Sequence, residues 1–169
     1  MKIREYDYPV SCSLSMRVSK EQIWDLISQA GYLELCHPFC KSNSVEKWPG
    51  DKSIDCINYY NNLTFARTFT RWIDGQGYDL LIGKSNDRKS KVLWRINELH
   101  PGVSELKITI HPHRIKNCPR FLEPLVYFFY TRIMLKKYLR SVLKGIKWYV
   151  LSYRVVKKNQ FGSHSWFSK

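Results

Sequence analysis

The sequence predicts an α+β domain: an antiparallel sheet of about seven strands, two short helices after the first strand, and one long C-terminal helix. Three observations carry this expectation. Residues 10–17 alternate apolar and polar side chains and lead into a capped helix. Six short strand-like runs then follow one another, divided by turn residues. From about residue 121 to 153 the apolar period becomes that of a helix. At 169 residues and 44% hydrophobic composition, the chain suits one domain with one substantial core.

In the first strand Val10, Cys12, Leu14 and Met16 alternate with Ser11, Ser13, Ser15 and Arg17, which leaves one face buried. Ser19 then opens a helix, with Gln22 as its capping-box partner. Ile23, Trp24, Leu26 and Ile27 form the helix's apolar face, which runs out before Gly31. A second short helical or irregular piece spans 32–39. The strand runs are 44–48, 54–60, 63–73, 78–83, 92–99 and 104–111. Their separators include Pro49-Gly50-Asp51, Asn61-Asn62, Asp74-Gly75-Gln76-Gly77 and Pro101-Gly102, the residues that short turns between antiparallel neighbours require.

The helical stretch starts near Pro124, where a missing N–H costs least. At 100° per residue, Leu135, Tyr138, Leu139, Val142, Ile146, Tyr149 and Tyr153 share one face, opposite Arg132, Lys136, Arg140, Lys144 and Lys147. Its first turns, Leu122 to Tyr130, are apolar nearly all round. Residues 154–169 are charged yet carry Phe161, Trp166 and Phe167, so this tail is expected to fold back onto a domain comprising residues 1–153.

Composition narrows the function classes. The five cysteines, Cys12, Cys36, Cys40, Cys56 and Cys118, are odd in number and scattered, and the opening residues lack a signal-peptide pattern, which predicts a reduced, cytoplasmic protein. No uncharged apolar window reaches the 18 or so residues of a membrane span. The net charge of +14 is lopsided: residues 1–113 hold 15 Lys and Arg against 13 acids, and residues 114–169 hold 13 against Glu123 alone. A bias of that kind draws anionic partners to the C-terminal third.

The order of elements, together with Ser19-Lys20-Glu21-Gln22-Ile23-Trp24, the stretch 32–39 with Pro38, Leu93-Trp94-Arg95-Ile96 and Leu106-Lys107-Ile108-Thr109-Ile110 before a long helix, resembles the START-like superfamily. The segment 159–167 also resembles the ending of uncharacterised members. That superfamily includes polyketide cyclases and dehydratases, lipid-transfer domains and birch-pollen-allergen-like proteins. The resemblance spans about residues 8–153 and implies the helix-grip fold, in which the curved sheet wraps around the long helix and leaves a cavity between them. It does not fix an activity, because one fold hosts many functions.

Within such a cavity, Trp24, Tyr59, Phe65, Phe69, Trp94 and Tyr127 are the candidate lining. Strict alternation along 63–73 sets Phe65, Arg67, Phe69 and Arg71 on one face and Thr64, Ala66, Thr68, Thr70 and Trp72 on the other. If the phenylalanine face lines the cavity, Arg67 is either a ligand's polar anchor or an internally paired cation; otherwise it is solvated. His37 is placed at the cavity mouth, to meet a ligand's polar end or to serve as an ordinary loop histidine. Cys36, His37 and Cys40 fall short of the four ligands in paired spacings that structural zinc needs, so no metal is expected. His111 and His113 read as a strand-end pair.

No hydrolase, nucleotide-binding or zinc-protease motif occurs, and neither a catalytic signature nor a cofactor is expected. The expected function is binding, with transport as an extension, of a hydrophobic small molecule or lipid. The alternative is a cyclase or dehydratase in which His37, Tyr59 or Arg67 polarises a carbonyl or moves a proton. A third reading uses the ridge Arg132, Lys136, Arg140, Lys144 and Lys147 against an anionic membrane surface or nucleic acid. Nucleic acid is the weaker partner, because few aromatics interleave with those charges and no reading motif is present.

Overall fold

Strand follows strand through short turns in this chain, and the hydrogen bonding obeys that order. The computed structural model describes residues 8–113, 119 and 121–168; residues 1–7 of the expected domain, and Cys118, lie outside the described residues. The elements are β1 (Val10–Met16), α1 (Lys20–Ile27), α2 (Leu33–Cys36), β2 (Cys40–Lys47), β3 (Ile54–Tyr59), β4 (Thr64–Ile73), β5 (Gly77–Gly83), β6 (Ser90–His100), β7 (Val103–His111), α3 (Glu123–Val126), a π-helical turn (Tyr127–Thr131) and α4 (Arg132–Ser152). The seven strands form one curved antiparallel sheet in the order β1-β7-β6-β5-β4-β3-β2. The helix-grip architecture expected from the sequence is therefore present.

The Ser19 capping box forms as its spacing predicts. The Gln22 N–H donates to Ser19 Oγ at 3.3 Å, and the Ser19 N–H donates to Gln22 Oε1 at 3.0 Å. Ile23, Leu26 and Ile27 are buried by α1, while Trp24 stays partly exposed. At the start of β5, Gly77 has φ +136° and lies so close to β6 that a Cβ would sit 2.1 Å from the Trp94 carbonyl oxygen. Only glycine fits there.

Strand β4 departs from the expected alternation. A bulge between Phe69 and Arg71 lets Phe69 pair with Leu80 and Arg71 with Asp79, its immediate neighbour on β5. One extra residue on one strand reverses the facing of everything beyond it. Arg71 is exposed, and Trp72 joins Phe69, Trp24, Trp48 and Tyr78 in an aromatic cluster with ring centroids 5.1–5.7 Å from its own. Strict alternation thus holds for residues 64–69 and fails after them.

From Glu123 to Ser152 the chain is helical throughout, with the π-helical turn as its one irregularity. Its buried arc is wider than the expected stripe: Ser141, Leu143, Gly145 and Val150 join Leu135, Leu139, Val142 and Ile146, whereas Tyr153 is exposed in a left-handed C-cap conformation. The reason is a second layer on that side. A Cβ on Gly145 would lie 2.0 Å from the Cys36 carbonyl oxygen, so α4 meets the end of α2 backbone to backbone.

Candidate functional site

Between the sheet and α4 lies a cavity of about 260 Å³, just under the roughly 300–1,000 Å³ usual for small-molecule sites. Its walls are mainly apolar: Ile57, Leu80, Val92, Ile108 and Ile110 from the sheet, and Leu135, Leu139 and Val142 from the helix. Alternation on each strand and the 3.6-residue period on the helix deliver these side chains to one space. Lys84 and Arg88, exposed residues at the β5–β6 turn, border it with Asp87, Ser90 and His113. Its closed end meets His37, Tyr59, Arg67, Trp94 and Tyr138, all but Tyr138 buried.

That closed end is built from two hydrogen-bonded groups. In the first, Asp55 and Arg67 face one another directly across β3 and β4, at 0% and 3% exposure. Arg67 Nε donates to Asp55 Oδ1 at 2.6 Å and Nη2 donates to Oδ2, a two-pronged charge pair. Arg67 Nη1 also donates to the Tyr32 hydroxyl at 3.2 Å, and that hydroxyl shares a hydrogen with Tyr78 at 2.6 Å. The guanidinium lies over the rings of Tyr32 and Phe69 at 5.4 and 5.3 Å. Burial pushes the Tyr32 phenol up to about 12.

The second group is His37, Tyr138 and Tyr59. His37 Nδ1 accepts from the Phe39 N–H at 3.2 Å, Nε2 lies 3.0 Å from the Tyr138 hydroxyl, and that hydroxyl lies 3.2 Å from the Tyr59 hydroxyl. Burial, reinforced by the nearby Arg67 charge, lowers the His37 imidazole to about 3, so it is neutral at physiological pH. Burial also raises the Tyr138 phenol to about 12 and lifts Tyr59 well above the ordinary tyrosine value. Both stay protonated. The closed end is therefore neutral overall and rich in hydrogen-bond donors.

Solved structures with the same architecture are numerous. A START superfamily protein from Mycobacterium smegmatis superposes with a TM-score of 0.65 at 13% identity, covering 86% of this chain and 98% of its own. Ara h 8.0201 gives 0.63 at 17% identity over 86% and 98%. DynU16, a putative protein in the dynemicin biosynthetic locus, gives 0.63 at 9% identity over 90% and 52%. The chain has the START-like fold. No protein-family model matches the sequence, and no curated protein does either.

Placed on the START-like frame, the candidate residues separate. Tyr59, Phe65, Arg67, Trp94 and His37 reach the cavity. His37 does so at the closed end, 4% exposed, and not at the mouth where its loop position had put it. Trp24 and Phe69 belong to the aromatic cluster behind the cavity. Tyr127 stacks on Tyr8 at 4.7 Å and donates its hydroxyl to the Pro9 carbonyl at 3.2 Å. These three do not line the cavity.

Of the three fates considered for Arg67, the internally paired one is observed, in a residue that still borders the cavity. Its partner was legible: Asp55 and Arg67 stand equally far from Asn61 at the hairpin turn, and counting outward from that turn sets them opposite one another. Tyr138 was on the apolar helix face already identified, although its role with His37 needed the fold. Among the described residues no three His, Cys, Asp or Glu side chains gather as a metal-binding set. Cys36 Sγ lies 3.4 Å from the Tyr32 carbonyl, and both His37 nitrogens are engaged.

Residues 154–168 lie against the START-like body. The Val156 N–H donates to the Leu35 carbonyl and the Asn159 N–H to that of Pro38. His164, fully buried, bonds the Met134 carbonyl at 3.0 Å, and Phe167 borders the cavity with its ring 4.5 Å from that of Tyr59. On the helix exterior, Arg132, Arg140 and Lys144 are exposed, whereas Lys136 and Lys147 are half-buried beside β1, where Lys147 Nζ donates to the Ser15 carbonyl at 3.1 Å. No helix among the described residues is long and apolar enough to cross a membrane.

Proposed function

We propose that this chain binds a small hydrophobic molecule in the cavity between its sheet and C-terminal helix. The observation that carries the reading is the cavity itself: about 260 Å³, with mainly apolar walls and a small set of polar groups among them. Burying roughly 200 Å² of ligand surface at about 25 cal/mol per Å² yields on the order of 5 kcal/mol before the cost of association. START-like neighbours such as the Mycobacterium smegmatis protein share the fold that houses it. Native mass spectrometry of the purified protein, followed by organic extraction, tests the proposal. A stoichiometric apolar molecule supports it; a protein that is empty and takes up no hydrophobic probe refutes it.

The cyclase or dehydratase alternative draws less support from the residues first considered for it. His37 has no free lone pair to receive a proton, since Phe39 occupies Nδ1 and the ring hydrogen is on Nε2. Tyr59 and Arg67 can polarise a carbonyl but hold no base.

A second site follows from a separate observation. Seven of the exposed large apolar side chains among the described residues fall between 121 and 133, with Phe121 and Phe129 at 78% and 74% exposure, and four of them, Leu125, Phe128, Phe129 and Ile133, line a groove with Arg132 and Lys136. An anionic lipid surface suits both the apolar groups and the cations, each cation near it contributing about 1 kcal/mol. A second copy docked through the same patch would bring like charges together. Co-sedimentation with phosphatidylglycerol vesicles but not phosphatidylcholine vesicles is expected; equal or absent binding to both overturns this reading, and capture by duplex DNA instead would assign the ridge to nucleic acid.

A further inference from the structure

Counting hydrogens at the closed end of the cavity narrows the chemistry of the ligand. His37 Nδ1 accepts from the Phe39 N–H, which leaves the hydrogen of the neutral ring on Nε2, facing the Tyr138 hydroxyl 3.0 Å away. The Tyr138 and Tyr59 hydroxyls are 3.2 Å apart. These three groups carry three polar hydrogens, yet only two hydrogen bonds join them. Neither tyrosine hydroxyl has another hydrogen-bond partner among the described residues. Whichever tyrosine donates to the other, one O–H hydrogen is left over, and both tyrosines border the cavity.

A buried donor without an acceptor is costly, and a ligand that supplies the acceptor recovers that cost. Charge decides which kind of acceptor. Among the described residues Arg67 is the one cation at this end, and Asp55 already neutralises it with two hydrogen bonds. A carboxylate placed here would be a buried anion without a counter-charge of its own. Two of Arg67's five N–H hydrogens remain unengaged beside the same space and likewise ask for an acceptor.

We propose that the ligand is an apolar molecule bearing a neutral carbonyl-type oxygen, and that this oxygen takes the spare hydrogen of the Tyr59–Tyr138 pair. The proposal rests on the cavity-binding reading and adds the ligand's polar group to it. Once bound, the carbonyl lies at the closed end with the apolar body extending between β6, β7 and α4 toward Lys84 and Arg88.

The test compares two probes of one shape, 2-acetylnaphthalene and 2-isopropenylnaphthalene, by isothermal titration against the full chain. The ketone is expected to bind roughly 3- to 10-fold more tightly, the factor that one or two neutral hydrogen bonds provide. The carbonyl stretch of the bound ketone should move to lower wavenumber than in hexane. In a Tyr59→Phe/Tyr138→Phe variant the ketone's advantage should shrink to what the N–H groups of His37 and Arg67 still offer, while the hydrocarbon's affinity holds, which also shows that the variant is folded. Equal affinities in the unmodified protein, tighter binding of 2-naphthoate than of the ketone, or an undiminished advantage in the double variant would each overturn the proposal. Failure of both probes to bind would instead remove the cavity-binding reading beneath it.

Discussion

The two halves of the C-terminal helix make opposite use of similar apolar content. From Leu135 to Val150 most apolar side chains are buried, Trp148 excepted, and Gly145 lets the backbone approach α2 closely. From Phe121 to Ile133 they stand largely in solvent, tied to the body chiefly by Tyr127 on Tyr8 and by Trp166, whose indole N–H donates to the Tyr130 hydroxyl at 3.1 Å. The π-helical turn, Tyr127–Thr131, falls within the open half, shortly before Leu135. An extra residue in one turn rotates all that precedes it relative to all that follows, so one helix can turn one apolar face inward and another outward. Hydrophobicity alone does not distinguish core from contact surface; a mate on the facing element does.

Substitutions sharpen that contrast. The largest effect is expected beneath the closed half, where Arg67→Leu strands the buried Asp55 carboxylate and should cost about 3–5 kcal/mol in urea unfolding. Next, Gly145→Ala should destabilise by about 2 kcal/mol through collision with the Cys36 carbonyl, although alanine by itself favours a helix by about 1 kcal/mol. A Gly145→Ala protein as stable as the original would show that α2 yields easily, and the two halves would differ less than their contacts indicate.

The pH response follows from His37. Its folded-state value lies near 3, below the unfolded value of about 6.5, so below pH 6.5 the unfolded chain binds a proton that the folded one refuses. Stability from this residue is complete above about pH 6.5. It declines by about 1.4 kcal/mol per unit as the pH falls toward 3. His37→Gln should flatten that slope in urea titrations between pH 6 and 4; an unchanged slope would assign it to other groups, such as His164, whose value burial also lowers. Smallest of all, Phe129→Ser on the open half should change stability by less than about 0.5 kcal/mol while reducing retention on phosphatidylglycerol vesicles.

Much of this was legible in the residues. Period-2 runs and turn dipeptides revealed the strands, and the Ser19–Gln22 box marked the first helix, because those signals are local. The cavity was legible only in part. Tyr59, Phe65 and Trp94 follow from alternation, but Phe69 and Trp24 were separated from the cavity by the breadth of the aromatic cluster, which no spacing reveals. His37 was misplaced because a loop residue's depth depends on what covers it, here Tyr138 from α4 and Phe39. The Asp55–Arg67 pair emerges only on counting outward from the hairpin turn, because alternation along one strand carries no information about its partner.

The bulge in β4 makes the strand's length as informative as its composition. Removing Thr70 would change no buried side chain, since that residue is exposed. The deletion would let Phe69, Arg71 and Trp72 keep Leu80, Asp79 and Tyr78 as partners without a bulge, and Trp72 would stay among Trp24, Trp48 and Tyr78. Position 70 should therefore tolerate loss as well as substitution, whereas flattening the bulge with Thr70 retained would turn Trp72 out of the cluster and Arg71 into it.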